Sequence, residues 1–142
     1  MAFWAKPSKN RNLNTRLTGQ QAEDRALRYL TRRNYQFITR NYYRRCGEID
    51  LIMLKDNVLV FVEVRYRATP DQGHPIETVN SKKTKRIIKT AELFVIDHPQ
   101  IMFNNMRFDI IGVAGNWPNG LSHVTDVVHV DRFYSRPSRR SW

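Results

Sequence analysis

Two apolar segments separated by a three-residue polar break constrain this chain more than any other feature. Gly47-Glu48-Ile49-Asp50-Leu51-Ile52-Met53-Leu54 and Val58-Leu59-Val60-Phe61-Val62-Glu63-Val64-Arg65 flank Lys55-Asp56-Asn57. Both are rich in branched apolar residues and bounded by turn formers, which predicts a β-hairpin. Asp and Asn tolerate positive φ, so Asp56-Asn57 suits a two-residue turn, and paired positions then sum to 113. In that register Asp50 faces Glu63 and Glu48 faces Arg65.

Alternation puts Ile52, Leu54, Leu59 and Phe61 on the side of the two acids, and Ile49, Leu51, Met53, Val60, Val62 and Val64 on the other. With both faces apolar, the hairpin belongs in the middle of a sheet. Like charges directly opposed destabilise a strand pair, and a low dielectric magnifies the cost. Three remedies are open: one carboxyl takes a proton, Arg65 or a backbone amide pairs with them, or a divalent ion binds between them. Oxygen donors alone favour magnesium, manganese or calcium over zinc.

The surrounding charge bears on that choice. The chain has 142 residues and a net charge of +11, distributed as +9 over residues 1–45, −2 over 46–131 and +4 over 132–142. Cationic ends around a slightly acidic middle suit a polyanion such as DNA or RNA. A single cysteine, Cys46, excludes an internal disulfide framework and fits a reducing compartment. With no signal-peptide pattern and no stretch able to span a bilayer, a soluble cytoplasmic protein without a membrane partner is expected.

The length suits one domain, expected over 18–133, with a flexible basic arm at 1–17 and a disordered basic tail at 134–142. Thr18-Gly-Gln-Gln offers a capping box for a helix running to about Arg33, with Ala22, Ala26, Tyr29 and Leu30 as its core stripe. Glu23 shares a face with Leu27 and Leu30, so it either leans toward the sheet or complements the helix dipole. Tyr35 to Tyr43 reads as a strand. Arg40, Arg44 and Arg45 interleave there with Tyr42 and Tyr43, a pattern that grips phosphates or guards a sheet edge against aggregation.

Tyr66 to Asn80 reads as a long loop. Ser81 caps a second helix to about Asp97, with Ile87, Ile88, Ala91, Phe94 and Val95 as its apolar face. Lys82, Lys85, Arg86 and Lys89 line another face, either as a solvated surface or as a phosphate track. Met106 to Val113 and Leu121 to Phe133 complete an order of α-β-β-β-α-β-β.

The helix bearing Glu23, the Gly-Glu-Ile-Asp-Leu-Ile and Val-Phe-Val-Glu-Val-Arg strands, and Ser81-Lys82 opening a helix together resemble the YraN-type uncharacterised bacterial proteins. The likeness spans about residues 15–133. It implies an α/β, restriction-endonuclease-like (PD-(D/E)xK) core with a central mixed sheet flanked by helices, related to archaeal Holliday-junction resolvases. By that resemblance Asp50 and Glu63 bind Mg2+ or Mn2+, Glu23 assists, and Arg65 stands where the superfamily has the lysine of Glu-x-Lys. The implied activity is metal-dependent cleavage of structured or branched DNA, for which two active sites in a homodimer are expected. Arg65 departs from the pattern, because a guanidinium stays protonated and cannot serve as a base. A non-catalytic DNA- or RNA-binding module is the rival expectation.

Overall fold

The computed structural model describes residues 13–67, 81–114 and 120–128. The expected tail, nearly all of the 66–80 loop, and the arm up to residue 12 lie outside them. Among the described residues seven elements follow in chain order: α1 (Leu13–Arg32), β1 (Gln36–Arg44), β2 (Gly47–Lys55), β3 (Val58–Arg67), α2 (Ser81–Asp97), β4 (Asn105–Ala114) and β5 (Leu121–Val124). The expected α/β order is therefore observed. Among the described residues, no helix is long and apolar enough to cross a membrane.

The strands form one mixed sheet in the order β1-β2-β3-β4-β5. β1, β2 and β3 are an antiparallel meander, β3 and β4 run parallel, and β5 returns antiparallel to β4. The parallel pair requires a crossover, and α2 lies within it. Asp56 and Asn57 adopt φ values of 48° and 62°, the twin left-handed conformations of the tight hairpin turn expected there.

α1 starts at Leu13, more than a turn before Thr18, so the expected capping box lies inside the helix. Its other end is chemically defined. Asn34 takes φ 64°, Asn34 N donates to Thr31 O at 3.1 Å, and Tyr35 N donates to Leu30 O at 3.1 Å. These two bonds satisfy the last carbonyls in a Schellman arrangement. α2 keeps both expected bounds, Ser81 and Asp97.

Each helix covers one face of the sheet. Ala22, Ala26 and Leu30 of α1 are buried against Leu51, Met53, Val60, Val62, Ile111 and Val113. On the opposite face Ile87, Ile88, Ala91 and Phe94 of α2 pack on Ile49, Ile52, Leu59, Phe61, Phe108 and Val128. Phe61 stacks on Phe108 at 5.2 Å and meets Phe94 edge-on at 6.0 Å. β3 is thus enclosed by β2 and β4 at its sides and by a helix over each face. The last strand is shorter than expected: β5 spans four residues, and the described chain beyond it is irregular.

Candidate functional site

The hairpin register of 113 holds from Lys55↔Val58 to Leu51↔Val62, and the recorded ladder stops there. The next residue, Asp50, departs from the expected opposition to Glu63. Its Oδ2 accepts the backbone N–H of Val64 at 2.9 Å, so a side chain bonds the amide where the ladder ends. The alternation slips at the same point. Ile49 packs beneath α2 with Ile52, whereas Leu51 and Met53 lie beneath α1. Ile49 was expected on the side of Leu51; the alternation breaks at Asp50, where the β2–β3 ladder ends and Asn41 of the neighbouring β1 takes φ 54°. Glu48 likewise pairs with Tyr43 of β1 and is outside the described β2–β3 ladder.

Glu63 and Arg65 share the Phe61 face of β3 and are 6% and 7% exposed. Arg65 Nη2 stands 3.8 Å from Glu63 Oε2, an ion pair longer than a hydrogen bond. That carboxylate oxygen and all three guanidinium nitrogens are shielded from solvent. Gly112 of β4 sits directly opposite Arg65 and presents no side chain beside the guanidinium. The β2–β3 seam therefore concentrates Asp50, Glu63 and Arg65 within two neighbouring strands.

Sequence reasoning passed over one cation. Lys83 is half-buried in the first turn of α2, one turn before the buried Ile87 and two before the buried Ala91. Burial holds its ammonium below the ordinary lysine range; Glu63 opposes that shift, and Arg65 and Arg86 reinforce it. Lys83 thus feels the charges of the β3 pair. Its spacing of four to Ile87 was the available signal. Lys82, Lys85, Arg86 and Lys89, by contrast, are all exposed.

Glu23 lies over the edge of the sheet. Arg40 of β1 donates from Nη2 to Glu23 Oε2 at 3.1 Å and from Nη1 to Asp24 Oδ1 at 2.9 Å. Among the described residues, no three His, Cys, Asp or Glu side chains group as a metal-ligand set. Asp50 and Glu63 are brought to one seam, and Glu23 does not join them as a third ligand.

The arginines before the hairpin have separate settings. Arg44 forms a short ion pair with Asp97, which also accepts the Tyr42 hydroxyl at 2.8 Å. Burial, followed by the bond to Asp97, pushes the Tyr42 phenol up to about 12. Arg45 is exposed. The turn carrying both arginines packs on α2: Cys46 Sγ is 3.2 Å from Thr90 Oγ1, and that hydroxyl donates to Arg86 O at 2.8 Å. A Cβ at Gly47 would stand 3.1 Å from Thr90 Oγ1, tight enough to favour glycine there. The contact seats the turn on the same helix that bears the exposed basic stripe.

A second buried polar cluster went unforeseen. Asp109 in β4 receives Arg107 Nε at 2.8 Å, Arg107 Nη2 at 3.0 Å and Asp126 N at 3.1 Å, and stands 2.8 Å from His123 Nε2. Arg107 also donates to Tyr35 Oη at 2.9 Å. Burial pushes the Asp109 carboxyl up, but the bonds from His123, Arg107 and the Asp126 amide outweigh it and hold the group below its ordinary value. This cluster ties β5 and the following segment to β4.

Comparison with other proteins places these features in a family. A sequence model of the family described as "Uncharacterised protein family UPF0102" matches residues 22–113. Among relatives, a UPF0102 protein of Prosthecochloris aestuarii is 41% identical over 121 residues, covering 82% of this chain and 93% of that protein. One from Coxiella burnetii is 43% identical over 102 residues, covering 72% and 85%. One from Persephonella marina is 34% identical over 115 residues, covering 81% and 96%.

Proposed function

We propose that this chain, which belongs to the uncharacterised protein family UPF0102, is a nucleic-acid-binding protein that hydrolyses phosphodiester bonds in structured or branched DNA with Mg2+ or Mn2+. One observation carries the reading: two carboxylates, Asp50 and Glu63, stand at a single strand seam inside a strongly basic chain, with Arg65 beside them. Their hard oxygen donors fit magnesium or manganese, ions held by one or two carboxylates together with substrate phosphates. Bound there, the ion would lower the pKa of water and offset charge on the phosphate.

The chain's own groups supply the rest. Asp50 and Glu63 would hold the ion, and the bond from the Val64 amide fixes Asp50. Arg65, a permanent cation, stabilises the charge that grows on phosphorus oxygens. Water attacks phosphorus as the P–O bond to one sugar breaks; the water's proton passes to a phosphate oxygen or Glu63, and the departing sugar oxygen takes a proton from solvent. Arg45, Lys82, Lys85, Arg86 and Lys89 guide the phosphate backbone over α2, while Arg44 and Glu23 support the frame through Asp97 and Arg40. Junction DNA would engage two copies of the chain, one per symmetric strand.

The test is cleavage of labelled duplex, single-stranded, flap and four-way-junction DNA with manganese. Cutting by the native chain, lost in Asp50→Asn with DNA binding retained, is the expected result. Cutting retained by Asp50→Asn would sink the assignment. A second reading has its own observation: the Glu63–Arg65 pair is almost wholly buried, as an ion pair kept for structure would be. In a non-catalytic DNA- or RNA-binding module, binding would be indifferent to divalent ions and no substrate would be cut.

A further inference from the structure

The β1–β2 turn carries one step more, resting on the proposed nucleic-acid-binding reading. Most of the arginine and tyrosine side chains that interleave at the end of β1 are engaged within the fold. Arg40 donates to Glu23 and Asp24 of α1, and Arg44 pairs with Asp97 at the end of α2. Tyr42 donates to the same Asp97 carboxylate and meets Phe94 edge-on at 5.0 Å. Tyr43 differs. It is 66% exposed, although its carbonyl accepts Arg44 Nη1 at 3.0 Å and its backbone pairs with Glu48 in the ladder.

The exposed ring thus stands on a fixed strand end and not on a loop. Arg44 pairs with Gly47, Arg45 and Cys46 form the turn between them, and Cys46 Sγ lies 3.2 Å from Thr90 Oγ1 of α2. Tyr42 and Arg44 both contact α2, so by strand alternation Tyr43 projects to the other side of the hairpin, with Glu48 directly across from it.

The charges nearby separate the two halves of a nucleotide. Arg45, exposed in the turn, offers a cation to a phosphate. Glu48 sets a carboxylate on the side of Tyr43, which disfavours a phosphate there and suits that spot to an uncharged ring. Tyr43 and Arg45 are two residues apart, at most about 7 Å along the chain, a reach that one nucleotide spans from base to phosphate. A base inside a duplex has both faces covered by its neighbours, so only an unpaired base has a face to lay on the ring.

We infer that Tyr43 is a stacking platform for an unpaired DNA base, with Arg45 on the adjoining phosphate, so that the chain favours DNA in which single-stranded nucleotides adjoin a duplex arm. The duplex arm lies along the exposed cations of α2, to which the Cys46–Thr90 contact joins the turn. Stacking tolerates every base, so the preference is for structure and not for sequence.

The experiment measures the affinity of the full chain for DNA by fluorescence anisotropy without divalent ions, so that no strand is cut. Three labelled DNAs are compared: a blunt duplex, the same duplex with a single-stranded flap, and the same with a flap of abasic nucleotides. The native chain should bind the flap more tightly than the duplex and lose that preference when the flap is abasic. Tyr43→Ala should weaken flap binding about fivefold to 150-fold, the loss of one base–aromatic stack, and leave duplex binding within about twofold. Tyr43→Phe should keep the native preference, and Tyr43→Leu should lose it although leucine is apolar. The slope of log affinity against log salt on the flap should stay native in Tyr43→Ala and shrink by about 0.7 in Arg45→Ala, which removes a single-strand phosphate contact. Thermal melting checks that each variant is folded, with Tyr43→Leu standing in for a misfolded Tyr43→Ala. Losses equal on all three DNAs, or absent from all, overturn the stacking role and leave the nucleic-acid-binding reading standing. An unaltered slope in Arg45→Ala overturns its place on the phosphate. A native chain that binds none of the three DNAs overturns this inference together with the reading beneath it.

Discussion

The carboxylate of Asp50 bonds the backbone amide of Val64 at 2.9 Å, one residue past its expected strand partner, Glu63. A residue proposed for chemistry is therefore also a structural joint, and substitutions there must separate the two roles. Asp50→Asn keeps an acceptor for the amide, whereas Asp50→Ala removes it. The alanine variant should be less stable than the asparagine variant by about 1–3 kcal/mol, the cost of stranding a part-buried donor. Urea unfolding of the two measures the difference, and equal stabilities would show that the bond is dispensable.

The buried pair on β3 gives a second expectation. Arg65→Met leaves Glu63 in a site built around a cation and should destabilise by about 3–5 kcal/mol. Combining it with Glu63→Gln should restore a large part of that loss, giving a coupling well above zero in a double-mutant cycle. Additive losses would mean that the two side chains do not stabilise one another.

Asp109 predicts the acid limb of the stability curve. Its folded pKa lies below the unfolded value, so its contribution is fully present above the ordinary aspartate range near ~4 and is lost as pH falls through the lower folded value. Melting temperature should fall below about pH 4, and Asp109→Asn should lower it at neutral pH while flattening that acid limb. An unchanged acid limb in the variant would place the pH dependence elsewhere.

The exposed stripe on α2 should act on binding and not on folding. Replacing Lys85, Arg86 and Lys89 by alanine should change stability by no more than about 0.5 kcal/mol per residue. On duplex DNA the slope of log affinity against log salt should shrink by about 0.9 for each phosphate contact removed. Affinity titrations over a range of salt measure that slope. A slope identical to that of the native chain would remove this face from the interface.

How much of this was legible in the chain varied with sequence distance. The hairpin was readable because Asp56-Asn57 fixes a turn and the turn fixes a register. α2 was readable because Ser81 caps a run with an apolar period of 3.6. The slip at Asp50 was not, since a break in alternation leaves no mark in composition: the residues on either side still look like strand. The Asp109 cluster was hidden for another reason. Tyr35, Arg107, Asp109, His123 and Asp126 are gathered only by the folded sheet, and of these only Arg107 and Asp109, two apart on one strand, carried a local hint. Lys83 sat in a run of cations where only its spacing to Ile87 set it apart.

The sheet's topology favours one order of assembly. Asp50, Glu63 and Arg65 lie on one hairpin closed by a two-residue turn, a contact that forms after a short search. β4 must pair in parallel with β3 across a connection that includes all of α2, which closes a far larger loop. A nascent chain ending near Arg67 already carries both carboxylates and the guanidinium, each still in water and solvated. In that order their desolvation would await α2 and β4, so the charges would meet their partners before water leaves them, and the costly burial would fall on a pair already formed.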